Sequence, residues 1–386
     1  MKLLDGILVL DFSQYLAGPS CAMRLADMGA RVIKVERPGT GDSGRKMTLE
    51  NLTIGKDSMN FLAINRGKES FCANMKDPED LKILKALIKK ADVMIENFRP
   101  GVMKKNGLDY ESVSQWNPGI VYATVTGYGK EGPWKTKPGQ DLLIQSMSGL
   151  AWLNGNGGEP PAPFGLSVVD SYAGVHMAEG ILAALVRRNK TKRGGLVEVT
   201  LMESALDMQF EGISTYLSNG HHLPVRASYN NGHPLLGAPY GIYETEGGYI
   251  ALAMGSLEQL GRLLDIKKLS EYDLDKDAFA KRDEIKLIIA DKLKTGTTAH
   301  WLEILGKEDY WCSDVYTWEK MLESDGFKAL DFLQTFDFPN NESMTTTTCP
   351  ISVNGEKLGS SLRGPLLGEH TEKIIEELKL REEAAD

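Results

Sequence analysis

No stretch of this chain approaches the roughly 20 consecutive apolar residues that a bilayer span requires, which excludes a helical membrane protein. The opening Met1-Lys-Leu-Leu-Asp-Gly6 runs directly into a strand-like segment and lacks the long apolar stretch of a signal peptide. Cysteine is scarce: Cys21, Cys72, Cys312 and Cys349 stand far apart. Without a CxxC pair or metal-ligand spacing they form neither a disulfide framework nor a zinc site, and reduced thiols in a cytoplasmic protein are expected. The six histidines are scattered apart from His221-His222, so no metal is expected. Basic charge is also short, with 44 Lys and Arg against 53 Asp and Glu and a net charge of −9. A nucleic-acid surface is therefore not anticipated. Neither G-x-G-x-x-G nor G-x-S-x-G occurs, and no internal repeat stands out.

The 386 residues, 42% hydrophobic and 25% charged, suffice for two domains. Strand and helix patterns alternate through the first 130 positions. Ile7–Asp11 reads as a buried strand, and Gly18-Pro19 opens a helix that stops near Gly29. Arg31–Glu36 is the next strand, Ser70–Met75 is extended, and Pro78–Lys90 is an amphipathic helix. Asp92–Glu96, Ile120–Val125 and Leu196–Leu201 read as further strands. The spacing predicts an α/β fold with a Rossmann-like large domain and a mostly parallel sheet. Glu36 stands where a ribose-binding acid would sit, but the turn before the first helix holds only Gly18, so ordinary NAD binding is disfavoured.

Residues 1–217 are assigned to the first part of this large domain. The Asn-, Gly-, His- and Pro-rich stretch 218–239 reads as a linker or lid. Residues 240–325 form a smaller α+β domain, opening on a hairpin about Thr245-Glu-Gly-Gly248 and then largely helical. Residues 326–386 return to the large domain, with Gly368-Glu-His-Thr371 beginning a last helix and Glu382–Asp386 a frayed tail.

The most informative residue is Asp170, in Gly165-Leu-Ser-Val-Val-Asp-Ser-Tyr-Ala-Gly-Val-His176. An extended apolar run ends on it, and a helical pattern follows from Ser171 to about Arg188. Such an acid is either a helix cap or a nucleophile at the mouth of a cleft, and spacing alone favours the cap. A cap can also be a catalyst, because helix-terminal N–H groups stabilise a carboxylate. Asp141, opening a short apolar helix, has the same plain reading. His176 reads as a helix histidine satisfied locally. Basic residues near strand ends, including Arg37, Lys76, Arg99, Lys105 and Lys137, lie where an open α/β sheet binds phosphorylated ligands.

Taken in order, several segments resemble the class III CoA-transferase family, which includes formyl-CoA:oxalate and carnitine CoA-transferases. They are Leu4–Ser13, Ala17-Gly-Pro19, Gly29–Arg37, Gly39-Thr-Gly-Asp42, Asn65-Arg-Gly-Lys68, Ala91–Gly101, Gln145–Gly149, Ala238-Pro-Tyr240 and Gly368–Thr371. The resemblance spans nearly the full chain. It implies that Asp170 is a nucleophile passing through an aspartyl anhydride and an aspartyl-CoA thioester, with Asp141 and Gln140 beside the reaction centre. It implies CoA contacts from Tyr15, Leu16, Arg37, Ala73, Lys76, Asn97, Phe98, Arg99, Lys105 and Lys137. Coenzyme A and acyl-CoA are then substrates, with no tightly bound cofactor, and the assembly is an interlocked, ring-like homodimer threaded through residues 190–240 and 325–350.

Three departures from the family pattern matter. Relatives that racemise 2-methylacyl-CoA carry a histidine where this chain has Gln140, which cannot exchange a proton at neutral pH. A glycine-rich lid is replaced by Asn230–Gly237. Met47 stands where oxalate-type members have tryptophan. The expected reaction is CoA transfer, with a racemase-like activity as the alternative, and an acceptor less polar than oxalate.

Overall fold

The computed structural model describes residues 2–384. Two compact units divide the chain: one runs up to Ile144, resumes over Ser167–Met208 and again from Asp331; the other comprises Gln145–Leu166 and Gln209–Leu330. The expected continuous large-domain piece 1–217 is thus interrupted, because 145–166 and 209–217 group with the second unit. The return from that unit comes at Asp331 rather than at 326.

The first unit is built on six parallel strands: β1 (Leu8–Asp11), β2 (Arg31–Glu36), β3 (Lys68–Cys72), β4 (Val93–Glu96), β5 (Val121–Thr126) and β6 (Gly195–Thr200). Their order across the sheet is β3-β2-β1-β4-β5-β6, and every pairing is parallel. This is the doubly wound order, with its topological switch between β1 and β4. The central strands β1, β4 and β5 are largely apolar runs because both faces are covered. On one face Leu10, Ile33, Met94 and Tyr122 pack with Leu84, Leu87 and Ile88 of α2 (Pro78–Lys90). Helix α2 starts where the sequence says it should: Asp77 accepts from the N–H groups of Glu79 and Asp80, and Pro78 follows. Each such apolar side chain contributes about 1.5–3 kcal/mol on burial.

The opposite face holds α1 (Ala17–Asp27) and α4 (Val168–Thr191); α3 (Asp141–Met147) precedes α4 in the chain. Helix α4 begins three residues earlier than expected, so Val168 and Val169 are helical rather than extended. The strand predicted over 70–75 begins instead at Lys68. Gly368–Thr371 docks on this edge strand. His370 donates its N–H to the Ser70 carbonyl (3.1 Å), Gly368 N–H reaches Ser70 Oγ (2.9 Å) and Cys72 N–H reaches Thr371 Oγ1 (2.9 Å). The tail expected over 382–386 is entered by a short helix, Leu380–Glu383; Ala385 and Asp386 lie outside the described residues.

In the second unit, β7 (Gly241–Thr245) and β8 (Gly248–Leu252) form the expected hairpin, with Gly247 left-handed at its turn. A third strand, β9 (Cys312–Asp314), pairs with β8. Tyr243, Ile250 and Leu252 pack on Ile285, Ile289 and Leu293 of helix Arg282–Leu293. That helix also holds the 218–239 stretch, which carries no helix or strand beyond Ser218. Lys286 Nζ donates to the carbonyls of Asn230 and Tyr240, both at 2.8 Å, and Arg282 to that of Pro234 at 3.1 Å. Among the described residues no helix is long and apolar enough to cross a membrane.

Candidate active site

The direction of α4 decides where Asp170 lies. Near the far end of α4, Arg188 pairs with Asp92 (2.9 Å) at the amino end of β4. The first turn of α4 therefore sits at the carboxyl edge of the sheet, where open α/β folds bind ligands. Helices α1 and α4 approach closely there. A Cβ on Gly174 would fall 2.2 Å from Ser20 Oγ and 2.8 Å from the Ala17 carbonyl, so only glycine fits without movement.

Asp170 is the third residue of α4 and not its cap. The capping position is Ser167, which makes no side-chain cap bond. The helix start is instead served by Asp141, whose Oδ2 accepts the Asp170 N–H at 2.9 Å. Asp141 thus serves the start of α4, while at the start of its own helix the Gln140 carbonyl receives Leu143 and Ile144 N–H. A close crossing of Gly127 and Gly139 brings Asp141 in: a Cβ on Gly139 would lie 2.5 Å from the Gly127 Cα. Among the described residues no hydrogen bond reaches the Asp170 carboxylate. Burial, and second the Asp141 charge, push its pKa up to about 7. A titratable group at a ligand-binding edge, moved to neutral pH by its surroundings, is a functional-site signature.

Two cavities open at the same edge. One, of about 210 Å³, lies beyond β1, β2 and β3 and is lined by Phe12, Val35 and Met75 together with four expected contacts, Arg37, Ala73, Lys76 and Phe98. The other, of about 280 Å³, lies beyond β4 and β5; Phe98 also lines it, with Arg99. The remaining expected contacts are elsewhere. Tyr15 is exposed, with left-handed backbone (φ 66°), and Leu16 is the capping residue of α1. Both amide groups of Asn97 are engaged by the Gln14 backbone. Lys105 and Lys137 are exposed and line neither cavity, and Gln140 is exposed just before Asp141.

Glu36 is not a free ribose ligand. It is 3% exposed and bound bidentately by Arg45, at 2.7 Å through each oxygen. Burial alone would raise its pKa, but the Arg45 bonds and the Lys34 charge hold it below the ordinary carboxylate value. His176, expected to be satisfied by local hydrogen bonds, is engaged instead from the separate helix Leu201–Asp207, by Ser204 Oγ (3.0 Å) and Asp207 (3.2 Å).

Sequence reasoning missed a buried charge cluster under this edge. Lys34 and Asp11 are 0% exposed, Lys68 1% and Asp42 2%. Lys68 Nζ donates to Asp11 Oδ2, the Pro19 carbonyl and Asn65 Oδ1, each at 2.8 Å. Lys34 Nζ donates to the Ser13 carbonyl at 2.8 Å and pairs with Asp42 Oδ2 at 2.9 Å. The available signal was a lysine inside Val32-Ile-Lys-Val-Glu36, a run otherwise fit for a fully buried strand.

The family model of CoA-transferase family III matches residues 4–371. Human succinyl-CoA:glutarate CoA-transferase is 29% identical over 98% of this chain and 86% of its own length. Acetyl-CoA:oxalate CoA-transferase of Acetobacter aceti is 34% identical over 78% of each chain. Succinyl-CoA:mesaconate CoA-transferase of Haloarcula marismortui is 31% identical over 98% of this chain and 96% of its own. Among solved structures, a CAIB/BAIF family protein from Brucella suis superposes with a TM-score of 0.85 at 30% identity, covering 98% of this chain and 99% of that one. With the family model spanning the six-stranded sheet, both cavities and the Asp141–Asp170 pair, the chain belongs to CoA-transferase family III.

Proposed function

We propose that this protein is an acyl-CoA:carboxylate CoA-transferase with Asp170 as its nucleophile. The observation that carries the reading is a partly buried carboxylate at the ligand-binding edge, with unbonded oxygens and a backbone N–H taken by a second acid. Such a group is aimed and desolvated but uncommitted, as covalent catalysis needs.

An Asp170 oxygen attacks the thioester carbonyl. The C–S bond breaks, CoA leaves as thiolate, and a mixed anhydride remains. The thiolate then attacks the aspartyl carbonyl carbon, the donor acid departs as carboxylate, and an aspartyl-CoA thioester is left. An acceptor carboxylate attacks that carbonyl and expels the thiolate, giving a second anhydride. Attack of the thiolate on the acceptor's acyl carbon releases the new acyl-CoA and restores the Asp170 carboxylate. The activated bond is kept throughout, so no nucleotide hydrolysis is required. N–H groups of the first turn of α4 serve the oxyanions.

CoA itself is assigned to the cavity beyond β1–β3, with apolar walls for the base and Arg37 and Lys76 for phosphate. Tyr15 and Leu16 meet the thioester end, and Arg99, Lys105 and Lys137 meet phosphate from the solvent side. Gln140 argues against the 2-methylacyl-CoA racemase alternative, which needs a proton-exchanging group. Exposed Met47 favours an acceptor less polar than oxalate. The working form is a cytoplasmic, interlocked homodimer; sedimentation as a monomer at micromolar concentration refutes that part.

Incubation with acetyl-CoA or succinyl-CoA is expected to add mass at Asp170 that hydroxylamine removes. Asp170→Ala abolishes both adduct and transfer while leaving the fold intact. Near-wild-type transfer by that variant overturns the reading.

A further inference from the structure

The segments that carry the family resemblance are scattered over nearly the whole chain, yet five of them converge on one short turn. That turn is Ser13-Gln14-Tyr15, between the carboxyl end of β1 and the start of α1. Asp11 Oδ1 accepts the Ser13 N–H (3.0 Å), and Lys34 Nζ binds the Ser13 carbonyl (2.8 Å). Asn97 closes on Gln14 from both sides: Oδ1 accepts its N–H at 2.8 Å and Nδ2 donates to its carbonyl at 2.7 Å. Asp42 Oδ1 accepts the Tyr15 N–H at 3.3 Å. Lys68, held by Asn65, completes the cluster by fixing Asp11. Every one of these side chains comes from a different quoted segment, save Asn65 and Lys68, which share one.

Backbone in a turn is ordinarily satisfied by water or by its own chain. Here side chains from β1, β2 and two loops take it over and hold Tyr15 left-handed at φ 66°, a conformation unfavourable for a bulky residue. Two lysines and two aspartates buried for this purpose add little net stability, since apolar residues of similar volume do as well. Their return is geometric. Ser13, Gln14 and Asp42 also line the cavity assigned to CoA, and Tyr15 projects exposed beside them.

We propose that Asn97, Asp42 and the Asp11–Lys68 pair are positioning residues for acyl transfer, acting through the Ser13–Tyr15 turn rather than by touching substrate. The proposal rests on the Asp170 reading above. It reassigns Asn97 from a CoA contact to a clamp on Gln14. The turn is the part of the site that places the acyl end of the thioester relative to Asp170, and loosening it misaligns attack while leaving the base and phosphate contacts in place. A misplacement of about 1 Å can cost on the order of 100-fold in rate.

The test uses full-length Asn97→Ala, in which no buried charge is orphaned, and the charge-balanced pair Asp11→Asn/Lys68→Met. Single-turnover formation of the Asp170 adduct is followed by mass spectrometry with acetyl-CoA and succinyl-CoA, and affinity for free CoA by calorimetry. Both variants are expected to slow adduct formation at least 30-fold, with the CoA Kd within threefold of wild type and melting temperatures nearly unchanged. Adduct formation within threefold of wild type in a folded variant overturns the inference. So does a CoA Kd that rises as far as the rate falls, which makes Asn97 a ligand contact after all. Absence of any adduct in wild type overturns the Asp170 reading, and this inference with it.

Discussion

Replacing Asp170 by asparagine should stabilise the protein, increasingly so as pH rises from about 4 through 7. The carboxyl is raised from 3.8 to about 7 by burial and by Asp141. Each pH unit is worth 1.36 kcal/mol, so ionised Asp170 costs the fold about 4 kcal/mol relative to its protonated form. Because the folded pKa lies above the unfolded one, stability from this group is full below pH 4. It is lost progressively as pH rises through 7. Asparagine mimics the protonated acid in size and never ionises. Its advantage over wild type should therefore widen by roughly 2–3 kcal/mol between pH 5 and pH 8 and then level off. Urea unfolding of both proteins across that range measures the difference directly, and the other carboxylates cancel because both chains carry them. A pH-independent difference, or a wider gap at low pH, refutes the account of Asp170 as an acid held against its preference. The same variant is expected to be inactive, so the site gives up stability for a competent nucleophile.

The pH profile of kcat/KM should rise through about 7 and reach a plateau, since only ionised Asp170 attacks; a flat profile from pH 5.5 to 8.5 refutes this. Asp141→Asn keeps an acceptor for the Asp170 N–H but removes the repelling charge, so the midpoint should move to lower pH. Gly174→Ala inserts a methyl against the Ala17 carbonyl and Ser20, and should cost about 1–3 kcal/mol in denaturant unfolding. Wild-type stability in that variant means that the α1–α4 contact is looser than described.

Most of the sheet was legible because its central strands are apolar runs between marked helix ends: Asp77-Pro78 opens α2, and Gly29 follows α1 with left-handed backbone. The helix that carries Asp170 was started too late in the sequence reading. Val168 and Val169 favour strands in isolation, and the packing of α4 against α1 overrides that preference. The route of 145–166 was hidden because nothing local marks a segment that packs with a unit resumed at Gln209. The buried cluster was hidden for a different reason. Lys68 and Asp11 are 57 residues apart, and each alone reads as solvated charge. Composition cannot tell a lysine that faces water from one that meets its partner across the sheet.

The docking of Gly368–Thr371 on β3 has a consequence for how the protein is made. Ser70 waits 300 residues of synthesis for His370, and Cys72 waits nearly as long for Thr371. Until the ribosome has passed that point, the outer strand of the sheet lacks the partners that seal it, and the cavity wall at Ala73 just beyond it has an open flank. Long-range closure of this kind is slow relative to local folding. A nascent chain can therefore complete most of its sheet while its ligand-binding edge stays unfinished, and the Gly368–Thr371 segment acts as the latch.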